Sequence, residues 1–162
     1  MANKRIISWE AITEGCTVLA DHIARKQKYD IIISIGRGGL IPASIIANYL
    51  DIPRVLNFGC RSYNENNKKN GLEVYQDIDL ISGKKYLSKS HVLVIDDLSD
   101  TGDTFAGTML SIAERFPNRS MASAALYVKP DAKYTPDFYY KKLIDDPWLV
   151  FPWEMKGVNV VL

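Results

Sequence analysis

The sequence is poor in the residues that build disulfide scaffolds and metal cages. It has two cysteines, Cys16 and Cys60, and two histidines, His22 and His91, in 162 residues. Such counts exclude a disulfide framework and a cysteine-rich zinc site, and they point to a reducing compartment, the cytoplasm. There is no excess of charge of one sign either. Twenty Lys and Arg stand against nineteen Asp and Glu, a formal charge of +1. A global basic field for nucleic acid or acidic membrane is therefore excluded, and only a local patch would serve. No apolar run approaches the roughly 18 residues of a membrane span. The longest, such as Ile31-Ile32-Ile33, are strand-sized. The opening MANKRIISWEA has two positive residues but no long apolar run before Glu10, unlike a signal peptide. Internal repeats and low-complexity tracts are absent.

What is present is ordinary globular composition, 47% hydrophobic and 24% charged. A chain of this length buries roughly two-thirds of the surface its unfolded form exposes, so it needs no staples. One domain over residues 1–162 is expected. Residues 8–27 predict an amphipathic helix, with Ser8 as N-cap and Ile12, Cys16, Leu19 and Ile23 on one apolar stripe. Cys16 on that stripe is core packing, and His22 and His91 are structural. Ile31–Ile35 and Val92–Ile95 are continuous apolar runs, the pattern of parallel strands buried on both faces. A helix over 41–50, a strand over 52–58, a helix carrying Phe105, Met109, Ile112 and Phe116 and ending near Pro117-Asn118, and a strand over 121–128 complete the series. The polar, Asn-rich stretch 61–71 lacks periodicity and reads as a mobile loop, followed by strands near 72–78 and 84–87. Lys84, Lys85 and Lys89 read as a solvated face. The order of elements implies a doubly wound α/β sheet. In such sheets ligands lie beyond the carboxyl ends of the strands, where the strand order reverses.

Two loops leave the carboxyl ends of apolar strands and enter helices, at 36–40 and 96–103. In the second, Asp96, Asp97 and Asp100 follow a hydrophobic strand at once. Packing does not require three carboxylates there, and their repulsion opposes them. They suit cations, hydroxyls or a cationic transition state. Thr101, Gly102, Asp103 and Thr104 follow at a helix start, where free N–H groups, hydroxyls and a glycine make a phosphate cradle. A ligand with a ribose ring and a 5′-phosphate matches both halves. In the first loop, Gly36-Arg37-Gly38-Gly39 fails the G-x-G-x-x-G dinucleotide fingerprint, because the sixth position is Ile41.

The run Val92-Leu93-Val94-Ile95-Asp96-Asp97-Leu98-Ser99-Asp100-Thr101-Gly102-Asp103-Thr104 closely resembles the phosphoribosyl-pyrophosphate (PRPP) motif of the type I phosphoribosyltransferases. The resemblance implies that family's mostly parallel sheet flanked by helices, with a core near 8–130 and a small hood and base-binding tail from the chain termini, near 131–162. It implies that Asp96 and Asp97 hold the ribose hydroxyls, directly or through Mg²⁺ and water. Asp100 becomes the general acid/base beside the purine, and residues 101–104 bind the 5′-phosphate. Asp103 departs from the small or basic residue usual there, and its carboxylate is expected to point away from the phosphate. Arg37 and Gly38 resemble the pyrophosphate loop, in which a non-proline cis peptide is expected between them. Ser62-Tyr63 resembles the Ser-Tyr pair of a loop that closes over the active site.

The tail narrows the resemblance to 6-oxopurine enzymes of the short bacterial xanthine-guanine type, from Ile7-Ser8-Trp9 to Glu154-Met155. By it, Trp148 stacks on the purine and the Leu149 backbone reads the base edge. Lys129, a donor-only ammonium, meets the O6 acceptor. It has nothing to offer the amino group of adenine, which favours 6-oxopurines strongly. Glu154 falls near the base or the metal, and Asp145-Asp146 reads as a loop feature. The implied activity transfers the phosphoribosyl group of PRPP to guanine, xanthine or hypoxanthine in purine salvage, with Mg²⁺ as cofactor and a homodimer or homotetramer as assembly. The rival readings are a transferase for adenine or a pyrimidine, and a PRPP-sensing regulator of the same fold.

Overall fold

The computed structural model describes residues 3–65, 68–78, 91–115 and 120–154. The predicted helix is present as α1 (Trp9–Ala24), and the Ser8 side chain accepts from the Ala11 N–H at 3.2 Å. Its whole predicted stripe, Ile12, Cys16, Leu19 and Ile23, is fully buried. Strands β1 (Lys4–Ile6), β2 (Ile31–Ile35), β3 (Val55–Glu65), β4 (Lys68–Gln76), β5 (Val92–Ser99), β6 (Met121–Val128), β7 (Phe138–Lys142) and β8 (Trp148–Val150) alternate with α2 (Leu40–Tyr49) and α3 (Asp103–Arg115).

Six strands form one sheet in the order β4-β3-β2-β5-β6-β7. All neighbours in it are parallel except the β3–β4 hairpin. The side chains of β2 and β5 alternate between two cores. Ile32, Leu93 and Ile95 join α1 and α2 on one face; Ile31, Ile33, Val92 and Val94 join Phe105 and Ile112 of α3 on the other. Burial on both faces is why these strands read as unbroken apolar runs. The termini meet in a parallel pair, β1 with β8, where Lys4 faces Trp148 and Arg5 faces Leu149. This pair is the hood.

Chain order runs outward from β2 to β3 and β4 on one side, and from β5 to β6 and β7 on the other. The reversal lies between β2 and β5, so the crevice that open α/β sheets use for ligands lies between the loops leaving these two strands.

Two expectations are corrected. The stretch 61–71 is not an aperiodic loop: most of it lies in the antiparallel β3–β4 hairpin, where Arg61 pairs with Glu73 and Ser62 with Leu72. Backbone pairing of 61–65 with 68–73 orders it, and pairing of that kind leaves no periodic signature in polar residues. The peptide between Arg37 and Gly38 is not cis; none is among the described residues. Gly36, at φ 51°, turns the chain instead, a conformation glycine adopts without strain. The expected strand at 84–87, the lysines at 84, 85 and 89, Phe116 and the helix end at 117–118 lie outside the described residues.

Candidate active site

The two strand-to-helix loops meet at the reversal. Gly39 lies against the backbone of Ile95 and Ile35, and any Cβ there would stand 2.8 Å from the Ile35 nitrogen. Gly38 lies against the side chain of Asp97, where a Cβ would be 2.6 Å from the carboxylate carbon. The Gly36 N–H donates to the Phe58 carbonyl at 2.8 Å, which ties the turn to β3. Arg37 is exposed on this turn.

Asp96 and Asp97 end the apolar part of β5. Asp96 is buried and Asp97 half-buried. The Asp97 N–H donates to Asp96 Oδ1 at 2.9 Å. Burial, and then the adjacent Asp97 charge, raise the Asp96 carboxyl well above the usual carboxylate range. Burial pushes Asp97 up to about 6, against a bond with Asp96 that lowers it and with the Glu154 charge adding to the rise. Neither carboxylate has an ion-pair partner among the described residues. A buried acidic pair of this kind is a place waiting for positive charge or hydroxyl donors.

The turn into α3 follows. Gly102 has φ 87°, and a Cβ there would meet the Cβ of Tyr134 at 2.8 Å. Only glycine fits, because the 129–137 segment presses on the turn from outside. Ser99 Oγ donates to the Tyr134 carbonyl at 2.7 Å, the Lys133 N–H to the Thr101 carbonyl at 2.8 Å and the Lys129 N–H to the Ser99 carbonyl at 2.9 Å. Tyr134 is fixed in turn: its ring stacks on Phe105 at 5.5 Å and its hydroxyl donates to Ser123 Oγ at 3.0 Å. Asp103 accepts from Thr101 Oγ at 3.0 Å and lies 3.6 Å from Lys133 Nζ. The hydroxyl and the ammonium draw it in, and its place in the first turn suits the helix dipole.

Lys129 stands at the end of β6, its side chain only 13% exposed. Its ammonium lies 3.1 Å from Asp100 Oδ1 and 2.6 Å from Asp146 Oδ1. These residues line an open cleft with Thr101, Pro130, Asp131 and Lys133. Across the hood, Trp148 is 59% exposed while Leu149 is buried. A lone tryptophan is usually a core aromatic; this one is not.

Residues 3–157 match the phosphoribosyl transferase domain family. The chain belongs to that family.

This phosphoribosyltransferase is 32% identical over 150 residues to the xanthine-guanine phosphoribosyltransferase of Idiomarina loihiensis, covering 92% of this chain and 86% of the relative. It is 31% identical over 155 residues to that of Nitratidesulfovibrio vulgaris, covering 96% and 87%. The crystal structure of a purine phosphoribosyltransferase from Pyrococcus horikoshii superposes with a TM-score of 0.75 at 28% identity, covering 96% of this chain and 97% of the other.

The phosphoribosyltransferase fold thus brings Gly38 to Asp97, and Asp100 to Lys129, across long stretches of sequence. Ser62 and Tyr63 lie on β3, where the ladder shifts register between Ser62 and Asn64. Sequence reasoning left Asp146 as a loop feature, whereas its carboxylate is the shorter of the two contacts to Lys129. It also passed over Tyr134, whose only sequence signal is a bulky aromatic shortly after a strand. No helix among the described residues is long and apolar enough to cross a membrane.

Proposed function

We propose that this enzyme transfers the 5-phosphoribosyl group of PRPP to N9 of a 6-oxopurine, yielding the nucleoside 5′-monophosphate and pyrophosphate, in cytoplasmic purine salvage. The observation that carries this reading is the Lys129 ammonium beside Asp100 at the mouth of the acidic loop, at 3.1 Å. In this reading the ammonium is the donor to O6 and Asp100 the acid/base group for N7. Relatives named for xanthine and guanine support the same base class.

In this reading the 5′-phosphate lies on the N–H groups and hydroxyls of residues 101–104 at the start of α3. Asp96 and Asp97 hold the ribose hydroxyls. Trp148 stacks on the purine and the Leu149 backbone reads its edge. Ser62 and Tyr63 belong to a flap over the reacting atoms that keeps water out. Arg37 and the Gly38 backbone bind the pyrophosphate. As the bond from C1 to pyrophosphate loosens, the ribosyl ring becomes cationic, and the acidic pair beneath it stabilises that charge. N9 attacks C1 and the proton on N7 passes to Asp100. The purine loses a proton as its new C–N bond forms, and pyrophosphate leaves with the electron pair of the broken C–O bond.

The residues present fit Mg²⁺. Asp96 and Asp97 are adjacent carboxylates held above their ordinary values by burial, with no ion-pair partner among the described residues. No cluster of three or more His, Cys, Asp or Glu among the described residues forms a complete cage. That suits an ion that takes one or two carboxylates and fills its shell with water and substrate phosphate oxygens. When bound, Mg²⁺ offsets charge on the pyrophosphate. We read residues 1–162 as one transferase domain that assembles as a homodimer or homotetramer.

The test is a panel of bases. The protein, PRPP and Mg²⁺ are incubated with guanine, xanthine, hypoxanthine, adenine and uracil, and pyrophosphate release is followed. Turnover is expected with at least one 6-oxopurine and at least about 100-fold less with adenine. Silence with all three 6-oxopurines defeats the reading.

A further inference from the structure

The Lys129 ammonium has three N–H donors. Two are taken in this structure, one by Asp100 at 3.1 Å and one by Asp146 at 2.6 Å. The reaction cannot leave both pairings as they are. Asp100 must face the purine to take its proton, so its hold on the ammonium has to loosen when the base enters. Asp146 has no such duty.

The placement of Asp146 is built rather than incidental. Its loop is fixed at both ends: the Leu143 N–H donates to the Val128 carbonyl at 2.8 Å and the Trp148 N–H to the Asn3 carbonyl at 2.8 Å. The neighbouring Asp145 turns the other way and pairs with Arg5 of β1 at 2.8 Å. Adjacent carboxylates thus diverge, one clamping the hood strand and the other reaching Lys129. Asp146 thereby restricts a long side chain that would otherwise have more rotamers to lose on binding.

We propose that Asp146 is a positioning residue that anchors the Lys129 ammonium at the base pocket, so that one donor stays aimed at the purine O6 while Asp100 is released to exchange its proton. The role rests on the purine reading above. Burial alone would lower the Lys129 pKa; the bonds to Asp146 and then to Asp100 more than reverse this. Without Asp146 the ammonium would collapse onto Asp100 alone. An entering base would then have to break that pair and also order the lysine, so base affinity falls.

Initial rates of Asp146→Asn, Asp146→Glu, Lys129→Met and the Asp146→Asn/Lys129→Met double variant test this against wild type, with the best 6-oxopurine of the panel. Asp146 is 71% exposed, so its substitution leaves the core intact. Solvent screening limits such a pair, and Asp146→Asn is expected to raise KM for the purine roughly fivefold to tenfold. KM for PRPP should stay within twofold, and Asp146→Glu should recover most of the loss. In the Lys129→Met background, Asp146→Asn should add nothing, because the two residues act as one unit. An unchanged purine KM in Asp146→Asn overturns the inference, as does an equal rise in the PRPP KM or full additivity in the double variant. Wild type that fails with every 6-oxopurine overturns the purine reading instead, and the inference with it.

Discussion

Gly38 sits so close to Asp97 that a single methyl group at residue 38 would overlap the Asp97 carboxylate. The loop leaving β2 and the loop leaving β5 therefore touch through a glycine and an acid. Gly38→Ala forces the carboxylate to turn, while the strands behind it keep their packing. Displacement by about 1 Å at a reacting centre can cost on the order of 100-fold in rate. We expect kcat/KM for PRPP to fall by about that factor with the melting temperature nearly unchanged. Thermal melts and PRPP saturation curves check both halves. A variant with wild-type kcat/KM would mean that the contact between these loops is not part of the site.

The acidic pair makes a second prediction, about stability in the absence of divalent ions. Burial raises the Asp97 carboxyl from its ordinary value of 3.8 to about 6. The folded chain then binds more protons than the unfolded chain between those values, so stability falls as pH rises through this window. Asp97's share is about 2–3 kcal/mol lost by pH 7. Asp97→Asn removes that share, and its melting temperature at pH 7.5 should exceed wild type by roughly 5 °C. At pH 4 the gap should close. Melts from pH 4 to 8 in chelator-treated buffer measure this, and a variant that melts below wild type at pH 7.5 contradicts it. The same variant should lose most of its activity, the usual trade between a strained site and a stable one.

Much of this was legible because it is local. Ile31–Ile35 and Val92–Ile95 announce buried parallel strands, and the stripe from Ile12 to Ile23 announces an amphipathic helix with one buried face. Carboxylates straight after an apolar strand mark a candidate site, since no packing force places them there. The hairpin over 61–76 was illegible for a physical reason. Its pairing is made by backbone groups, and its polar residues carry no alternation. The turn at Gly36 was misjudged because glycine permits several routes through a tight loop, and the chain takes the positive-φ one. Asp146 was missed because its value lies in a contact with Lys129 that depends on how β7, β8 and the hood are closed. Spacing along the chain contains no trace of that closure.

Asp100 separates the chemistry from the binding. It is exposed, and Lys129 is its ion-pair partner among the described residues, so replacing it disturbs little packing. In the proposed mechanism it touches the purine N7 and takes its proton, while the 5′-phosphate and pyrophosphate are held by other residues. Asp100→Ala and Asp100→Asn should both therefore lower kcat, by about 100-fold to 1,000-fold, the usual scale for removing a positioned acid/base group. KM for PRPP should move by less than a factor of about three, because the phosphate and ribose contacts survive. Steady-state rates across both substrates distinguish the cases. A kcat near wild type in either variant would remove Asp100 from proton transfer, and a large rise in the PRPP KM with kcat intact would make it a binding group instead.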